Sequence, residues 1–353
     1  MLNPSPPRGA AAPGALAALL TLTLTLSLAG CGGGGGGSAP APAPAPAPAP
    51  PPPVAVTSSL GDFPDPFLYA EAGTTYAFAT NANGRNVQVA SSSDLARFTA
   101  LPDAMPALAA WASPAFGLTW APEVIKVGTS YLLYYTGRDK ASAKQCIGVA
   151  TASSAAGPYT DSRTAPLVCQ VAEGGSIDPS PWRDATGFYL YVKNDGNCCS
   201  LSTSLYAVPL SADGLTTAGA PVKLVTNDVA TWERAVIEAP TMFVHDGKYL
   251  LFYSGGNYAD SSYAVGFASC VSALGPCTKD ASNPILKSRS DTSPALIGPG
   301  HQSLLQVGGQ TWISYHAWEV TSSGARGSRR FMYLDKLDWV NGLPVVRGPT
   351  MVP

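Results

Sequence analysis

The segment Ile237-Glu-Ala-Pro-Thr-Met-Phe-Val-His-Asp-Gly-Lys-Tyr-Leu-Leu-Phe-Tyr253 decides how this chain is read. An acidic residue, Glu238, precedes a short apolar strand, Thr241-Met-Phe-Val. The turn His245-Asp-Gly247 follows, and Tyr249 opens a second strand, Tyr-Leu-Leu-Phe-Tyr. Two β-type runs joined by Asp-Gly predict a hairpin. A third run, Tyr263-Ala-Val-Gly-Phe-Ala, comes next, and Gly275-Pro-Cys-Thr leads out. The unit is a small antiparallel meander headed by an acid.

The unit recurs. Tyr76 opens Tyr-Ala-Phe-Ala, Tyr131 opens Tyr-Leu-Leu-Tyr-Tyr, Phe188 opens Phe-Tyr-Leu-Tyr-Val and Trp312 opens Trp-Ile-Ser-Tyr-His. Turn signals stand ahead of most of them, at Val127-Gly-Thr, Asp184-Ala-Thr-Gly187 and Val307-Gly-Gly. Five units of roughly sixty residues predict an all-β, five-bladed β-propeller with antiparallel blades over residues 54–353. A β-sandwich would carry similar strands, but it gives no reason for matched acids.

The matched acids are Asp65 in Asp62-Phe-Pro-Asp-Pro66, Asp178 in Ser176-Ile-Asp-Pro179, and Glu238. A proline follows directly in the first two and one residue later in the third. In a ring of blades, equivalent positions meet at the axis, so three carboxylates from distant segments should converge. General acid/base chemistry needs that convergence. Asp62 competes with Asp65 for the role of base but lacks the following proline. Glu123 follows its proline, so strand alternation should point it differently; it reads as structural. His245 and His316 read as structural too, in a turn and a strand respectively.

Residues 1–53 read as address and tether. Residues 14–29 form a short apolar run that suits a signal-peptide core. It ends in Leu28-Ala-Gly-Cys31, which resembles a bacterial lipobox and implies cleavage before Cys31 and lipidation of its thiol. Gly32 to Gly37 and the Ala-Pro tract up to Pro53 make a flexible joint and a stiff polyproline II spacer, extending about 3 Å per residue. The expected location is therefore an exported, membrane-anchored lipoprotein, at the outer membrane, in the periplasm or at the cell surface. The lipid is the only membrane contact expected.

Charged residues make up 12% of the chain and the formal net charge is −2, so no basic patch favours nucleic acid. Besides Cys31 there are six cysteines, an even number suited to disulfides in an exported chain. The expected pairs are Cys270–Cys277, Cys146–Cys169 and the vicinal Cys198–Cys199. A metal site is disfavoured, since no Cys-x-x-Cys spacing occurs.

Across residues 54–353 the chain resembles glycoside hydrolase family 43, five-bladed propellers that cut arabinose or xylose from plant polysaccharides. The motifs that carry the resemblance, in the family's order, are Phe63-Pro-Asp-Pro66, Trp120-Ala-Pro-Glu123, Ser176-Ile-Asp-Pro179, Ile237-Glu-Ala-Pro240, Gly298-Pro-Gly-His301, and Arg330 ahead of Leu337-Asp-Trp339. Glu123 stands where Asp often fills the family position. The resemblance implies Asp65 as the base that activates water, Glu238 as the general acid, and Asp178 as the carboxylate that raises the acid's pKa. Two close carboxylates resist ionising together, which keeps an acid protonated. A base and acid roughly 6.5–9.5 Å apart leave room for water and give inversion.

The resemblance also makes Arg330 a substrate contact, with Arg329 facing the other way. Trp120 and Phe63 become candidates for stacking on the sugar. His301 corresponds to the family's axial histidine, which in many members lies near a water-coordinated calcium. No cofactor is required, and that calcium is the one metal the resemblance offers. The substrate class is an arabinose- or xylose-containing polysaccharide or oligosaccharide, cut by a monomer. The primary expectation is an exo- or side-chain-cleaving α-L-arabinofuranosidase. An endo-arabinanase and a β-xylosidase share the scaffold, and a non-catalytic carbohydrate-binding propeller is the reading from another class.

Overall fold

The aromatic run of each unit becomes the second strand of a blade. The structure, a computed structural model, describes residues 59–292 and 295–349. The signal peptide, lipidated Cys31 and linker expected for residues 1–53 lie outside the described residues. Blade 1 comprises β1 (Phe67–Glu71), β2 (Thr74–Ala79), β3 (Gln88–Ser92) and β4 (Thr99–Ala100). Blade 2 is β5 (Trp120–Val127), β6 (Ser130–Arg138) and β7 (Gln145–Ala152), with a Thr151–Thr160 bridge beyond its third strand. Blade 3 is β8 (Ser176–Asp184), β9 (Gly187–Asn194), β10 (Ser204–Leu210) and β11 (Val222–Thr226). Blade 4 is β12 (Ile237–His245), β13 (Lys248–Gly255), β14 (Ala264–Cys270) and β15 (Cys277–Lys279). Blade 5 is β16 (Gly300–Val307), β17 (Gln310–Val320), β18 (Arg326–Val340) and β19 (Leu343–Val346). All pairings within blades are antiparallel.

The first strands contact one another in cyclic order, with β16 closing against β1. Each blade is one continuous segment, so the ring closes without strand exchange. Blade 5 is joined to the start of blade 1 by Phe63 N–H donating to Arg330 O, Leu68 N–H to Ser303 Oγ, and Ser314 Oγ to Pro66 O.

Five apolar clusters fill the five interfaces between neighbouring blades. Side chains alternate across a strand, so each second strand serves two interfaces. Leu133 and Tyr135 pack toward blade 1, while Leu132 and Tyr134 pack toward blade 3. Tyr189 and Tyr191 face blade 4, and Leu250 and Phe252 face blade 5. In blade 5 it is the third strand, β18, that sends Met332 and Leu334 toward blade 1. This double burial explains why these runs are continuously apolar rather than alternating. The tyrosines bring their hydroxyls into dry interfaces and satisfy them there: Tyr134 donates to Gly214 O, Tyr191 to Ala273 O and Tyr253 to Glu233 Oε1. The three expected disulfides, Cys146–Cys169, Cys198–Cys199 and Cys270–Cys277, are present.

One backbone feature repeats five times. Asp65, Ala121, Asp178, Ala239 and His301 all have φ between 46° and 56°, at the start of the five inner strands. A β-bulge accompanies it in blades 2 to 5, where register shifts at Trp120/Glu123, Ile177/Ser180, Glu238/Thr241 and Gly300/Ser303. A left-handed residue that is not glycine costs of order 1–3 kcal/mol, so surrounding contacts must hold it. Bulges re-aim side chains beside sites, and here they do so at the axial end of each inner strand. They also refine the sequence register. Asp65 and Asp178 occupy the left-handed position itself, whereas Glu238 precedes it by one residue and matches Trp120 and Gly300.

Candidate active site

The bulged strand starts open onto a cavity of about 400 Å³. Asp65, Asp178, Glu238, Trp120, His301 and Arg330 all line it. Of the side chains expected at the site, Phe63 is the exception. It is 2% exposed and packs with Leu60, Leu68 and Met332 in the cluster between blades 5 and 1, so its sugar-stacking expectation gives way to a core role. Trp120 anchors its indole N–H on Gly117 O, which leaves the ring at the cavity. Asp62 accepts the Arg330 N–H at 2.7 Å and serves as a backbone anchor for β18. Arg329 turns away, to Glu319 on the exterior.

Asp65 is ringed by one guanidinium and two imidazoles. Arg330 Nη1 lies 3.0 Å from its Oδ1, His316 Nδ1 3.1 Å and His301 Nδ1 3.4 Å. The Thr80 hydroxyl donates to Oδ2. Burial alone would push this carboxyl up; the Arg330 charge leads the influences that outweigh it and holds Asp65 well below the usual carboxylate range. His316 Nδ1 also accepts the Asp65 N–H at 3.2 Å. Burial and then Arg330 lower its pKa to about 4, so the imidazole is neutral.

The second group is Asp178 with Glu238. Asp178 Oδ2 accepts the N–H of Ala239, the residue after Glu238, at 2.9 Å. Glu238 takes Lys193 Nζ at 3.0 Å on Oε2 and the Tyr263 hydroxyl at 2.7 Å on Oε1. Burial raises both carboxyls, but they part company because of their neighbours. Lys193 and Tyr263 bring Glu238 below its ordinary value, whereas Asp178 is pushed up to about 6 by burial and the Glu238 charge, against His301 and Lys193. The sequence reading has Asp178 raising Glu238; here the buried ammonium of Lys193 opposes that on Glu238, while burial and the Glu238 charge push Asp178 up.

Lys193, Tyr263, His316 and Thr80 were missed as site residues from sequence. Lys193 had a visible signal, a lone charge ending the apolar run Phe188-Tyr-Leu-Tyr-Val. The segment that follows also walls the cavity, through Asp195, Asn197 and Cys198. Glu123 is not in the cavity lining. Burial pushes its carboxyl well above the usual range, with the Asp178 charge adding and a Ser180 hydrogen bond opposing. His245 stacks on Trp339 with ring centroids 3.8 Å apart, a structural role as expected.

The calcium expected near His301 was tested against the residues present. His301 Nδ1 is directed at Asp65, and His316 Nε2 is a buried nitrogen without a hydrogen-bond partner. Among the described residues no group of three or more His, Cys, Asp or Glu side chains is placed to hold a metal ion. The described residues thus offer no direct ligand set, and no step below uses a metal.

The family model for Glycosyl hydrolases family 43 matches residues 58–344. A probable arabinan endo-1,5-alpha-L-arabinosidase A of Aspergillus flavus is 26% identical over 302 residues, covering 80% of this chain and 90% of that protein. The crystal structure of a thermostable family-43 glycoside hydrolase superposes with a TM-score of 0.74 at 29% identity, over 84% of this chain and 96% of the other. The structure of an endo-1,4-beta-xylanase from Bacteroides thetaiotaomicron gives a TM-score of 0.70 at 26% identity, over 83% and 97%. The match spans all five blades and every strand that contributes a carboxylate, and on that ground the chain belongs to glycosyl hydrolase family 43 and is a glycosidase.

Proposed function

We propose that this glycosidase releases α-L-arabinofuranose from the ends or side chains of arabinan or arabinoxylan, with inversion at the anomeric carbon. Asp65 is the base: it takes a proton from water as the oxygen attacks the anomeric carbon. Glu238 is the acid: it gives a proton to the departing glycosidic oxygen. Asp178 stores that proton in the free enzyme and returns it to Glu238 when substrate arrives. Arg330 and Trp120 hold the sugar.

The observation that carries the catalytic reading is the division of protonation. Asp65 is held ionised by Arg330, while Asp178, bonded to the backbone beside Glu238, is pushed up to about 6, and groups whose pKa values are pushed apart mark the base and the acid. Support for exo action comes from the cavity. Its size of about 400 Å³ and its walls from Asp195 to Cys198 and at Tyr258 suit one terminal sugar better than a threaded chain.

A second reading, endo-arabinanase, is favoured by the activity ascribed to the Aspergillus relative. Digestion of linear arabinan separates the two. Arabinose alone from the earliest time points supports exo release; a ladder of oligosaccharides moves the function to endo cleavage. Proton NMR of the first product tests inversion, and retention would overturn the base assignment of Asp65.

A further inference from the structure

The five blades share a seam behind the cavity. Strand pairing places Thr136, Lys193, Ser254 and His316 opposite Trp120, Ile177, Glu238 and Gly300, and Thr80 bonds to Pro64 at the matching point of blade 1. Four of these five residues accept one backbone N–H from the next inner strand around the ring. Thr80 Oγ1 accepts from Ala121 at 2.9 Å, Thr136 Oγ1 from Asp178 at 3.2 Å, Ser254 Oγ from His301 at 2.8 Å and His316 Nδ1 from Asp65 at 3.2 Å. All four donors are left-handed residues, so the bonds pin the strained points of the ring.

Lys193 breaks the pattern. An ammonium has three donors and no acceptor. The N–H that faces its position, that of Ala239, goes instead to Asp178 Oδ2 at 2.9 Å. Lys193 Nζ turns to Glu238 Oε2 at 3.0 Å and Asn197 Oδ1 at 2.7 Å. The fold has no need of this lysine, since threonine or serine does the same work in three other blades. Its side chain is fully buried, and a buried charge persists only with partners.

We propose that Lys193 is the positioning residue that assembles the acid half of the site. By declining the Ala239 N–H it recruits Asp178 to the backbone beside Glu238, and by its charge it fixes the Glu238 carboxylate. The charged groups around it are Glu238 and Asp178, Asp195 on its own blade, and His301 from blade 5, with Lys144 and Arg138 of blade 2 acting on Asp195. This inference rests on the reading of Glu238 as the acid.

The test compares a dinitrophenyl glycoside, whose leaving group departs without protonation, with the phenyl glycoside of the same sugar, which needs the acid. Glu238→Gln is the benchmark. Lys193→Thr supplies Ala239 with an acceptor and frees Asp178; Lys193→Met keeps a similar volume and removes the charge together with the bonds to Glu238 and Asn197. Both should lose at least about tenfold in kcat on the phenyl glycoside, the scale of a displaced catalytic group, with dinitrophenyl turnover nearly kept. Lys193→Met should also move the alkaline limb of kcat/KM to higher pH, because the lysine charge lowers both carboxyls. An equal loss on both glycosides in both lysine variants, beside a selective loss in Glu238→Gln, overturns the positioning role and leaves the acid reading standing. An equal loss in Glu238→Gln overturns the acid reading and this proposal with it.

Discussion

Arg330 Nη1 lies 3.0 Å from Asp65 Oδ1, an ion pair that joins the last blade to the first. It is the leading influence that turns a buried carboxyl, otherwise pushed up, into one held well below its ordinary value of 3.8. Removing the guanidinium as Arg330→Met should therefore raise the Asp65 pKa. The acidic limb of kcat/KM should move up by about one pH unit or more. The sign follows from the base having to be ionised: a higher pKa loses activity at a higher pH. The same pair stabilises the fold above the unfolded pKa, and that contribution is lost as pH falls through the lowered folded value. An unmoved acidic limb in Arg330→Met would separate Arg330 from the base.

The alkaline limb has a different owner. Burial and the Glu238 charge push Asp178, the partner of the acid, up to about 6. The acid must be protonated to work, so kcat/KM should fall as pH rises through that region. A profile of kcat/KM between acid and mildly alkaline pH checks this, since that parameter reports the free enzyme. Activity held constant into the alkaline range would remove the proton-store role from Asp178.

Asp65→Asn and Glu238→Gln should each reduce turnover of an unactivated substrate by at least about a hundredfold, the lower end of general acid/base contributions. Both replacements keep side-chain volume and a hydrogen-bonding oxygen, so circular dichroism should be unchanged. Near-normal turnover in either variant would be incompatible with its assigned role.

The Leu28-Ala-Gly-Cys31 sequence leads to a proposal about location. A lipidated Cys31 would hold the propeller to a membrane by acyl chains, each buried methylene contributing about 0.8 kcal/mol. Cys31→Ser should then move the protein from the membrane fraction to the soluble one. Undiminished membrane retention of Cys31→Ser would exclude the anchor.

The five-bladed ring was legible because each unit repeats an aromatic-led strand and a turn, and because double burial of that strand leaves it continuously apolar. Asp65, Asp178, Glu238, His301 and Arg330 were legible because they stand at fixed points of that repeat. What stayed hidden arises between blades. His316 and Lys193 lie on second strands and Thr80 just past one, and whether such a residue meets a carboxylate depends on its facing the next blade. Alternation predicts the face, but only assembly supplies the neighbour. The lowering of Glu238 has the same origin, since two carboxylates in sequence say nothing about a blade 3 lysine that meets a blade 4 glutamate. Phe63 looked available for a sugar for want of the blade 5 residues that cover it.

Thr80 joins the two kinds of contact and yields the sharpest structural prediction. Its hydroxyl donates to Asp65 Oδ2 and accepts the N–H of Ala121, a left-handed residue of blade 2. Thr80→Val keeps the shape and removes both bonds. The Ala121 N–H, buried and without its acceptor, should cost about 1–3 kcal/mol of stability. Asp65 loses a donor that favours its ionised form, so the acidic limb of kcat/KM should rise as it does in Arg330→Met, though less, because a hydroxyl carries no charge. Thr80→Ser should restore both the melting temperature and the limb, since the hydroxyl is all the two bonds require. A Thr80→Val protein with unchanged melting and an unchanged pH profile would show that neither bond matters; a shift in melting alone would confine Thr80 to holding blade 2 against blade 1.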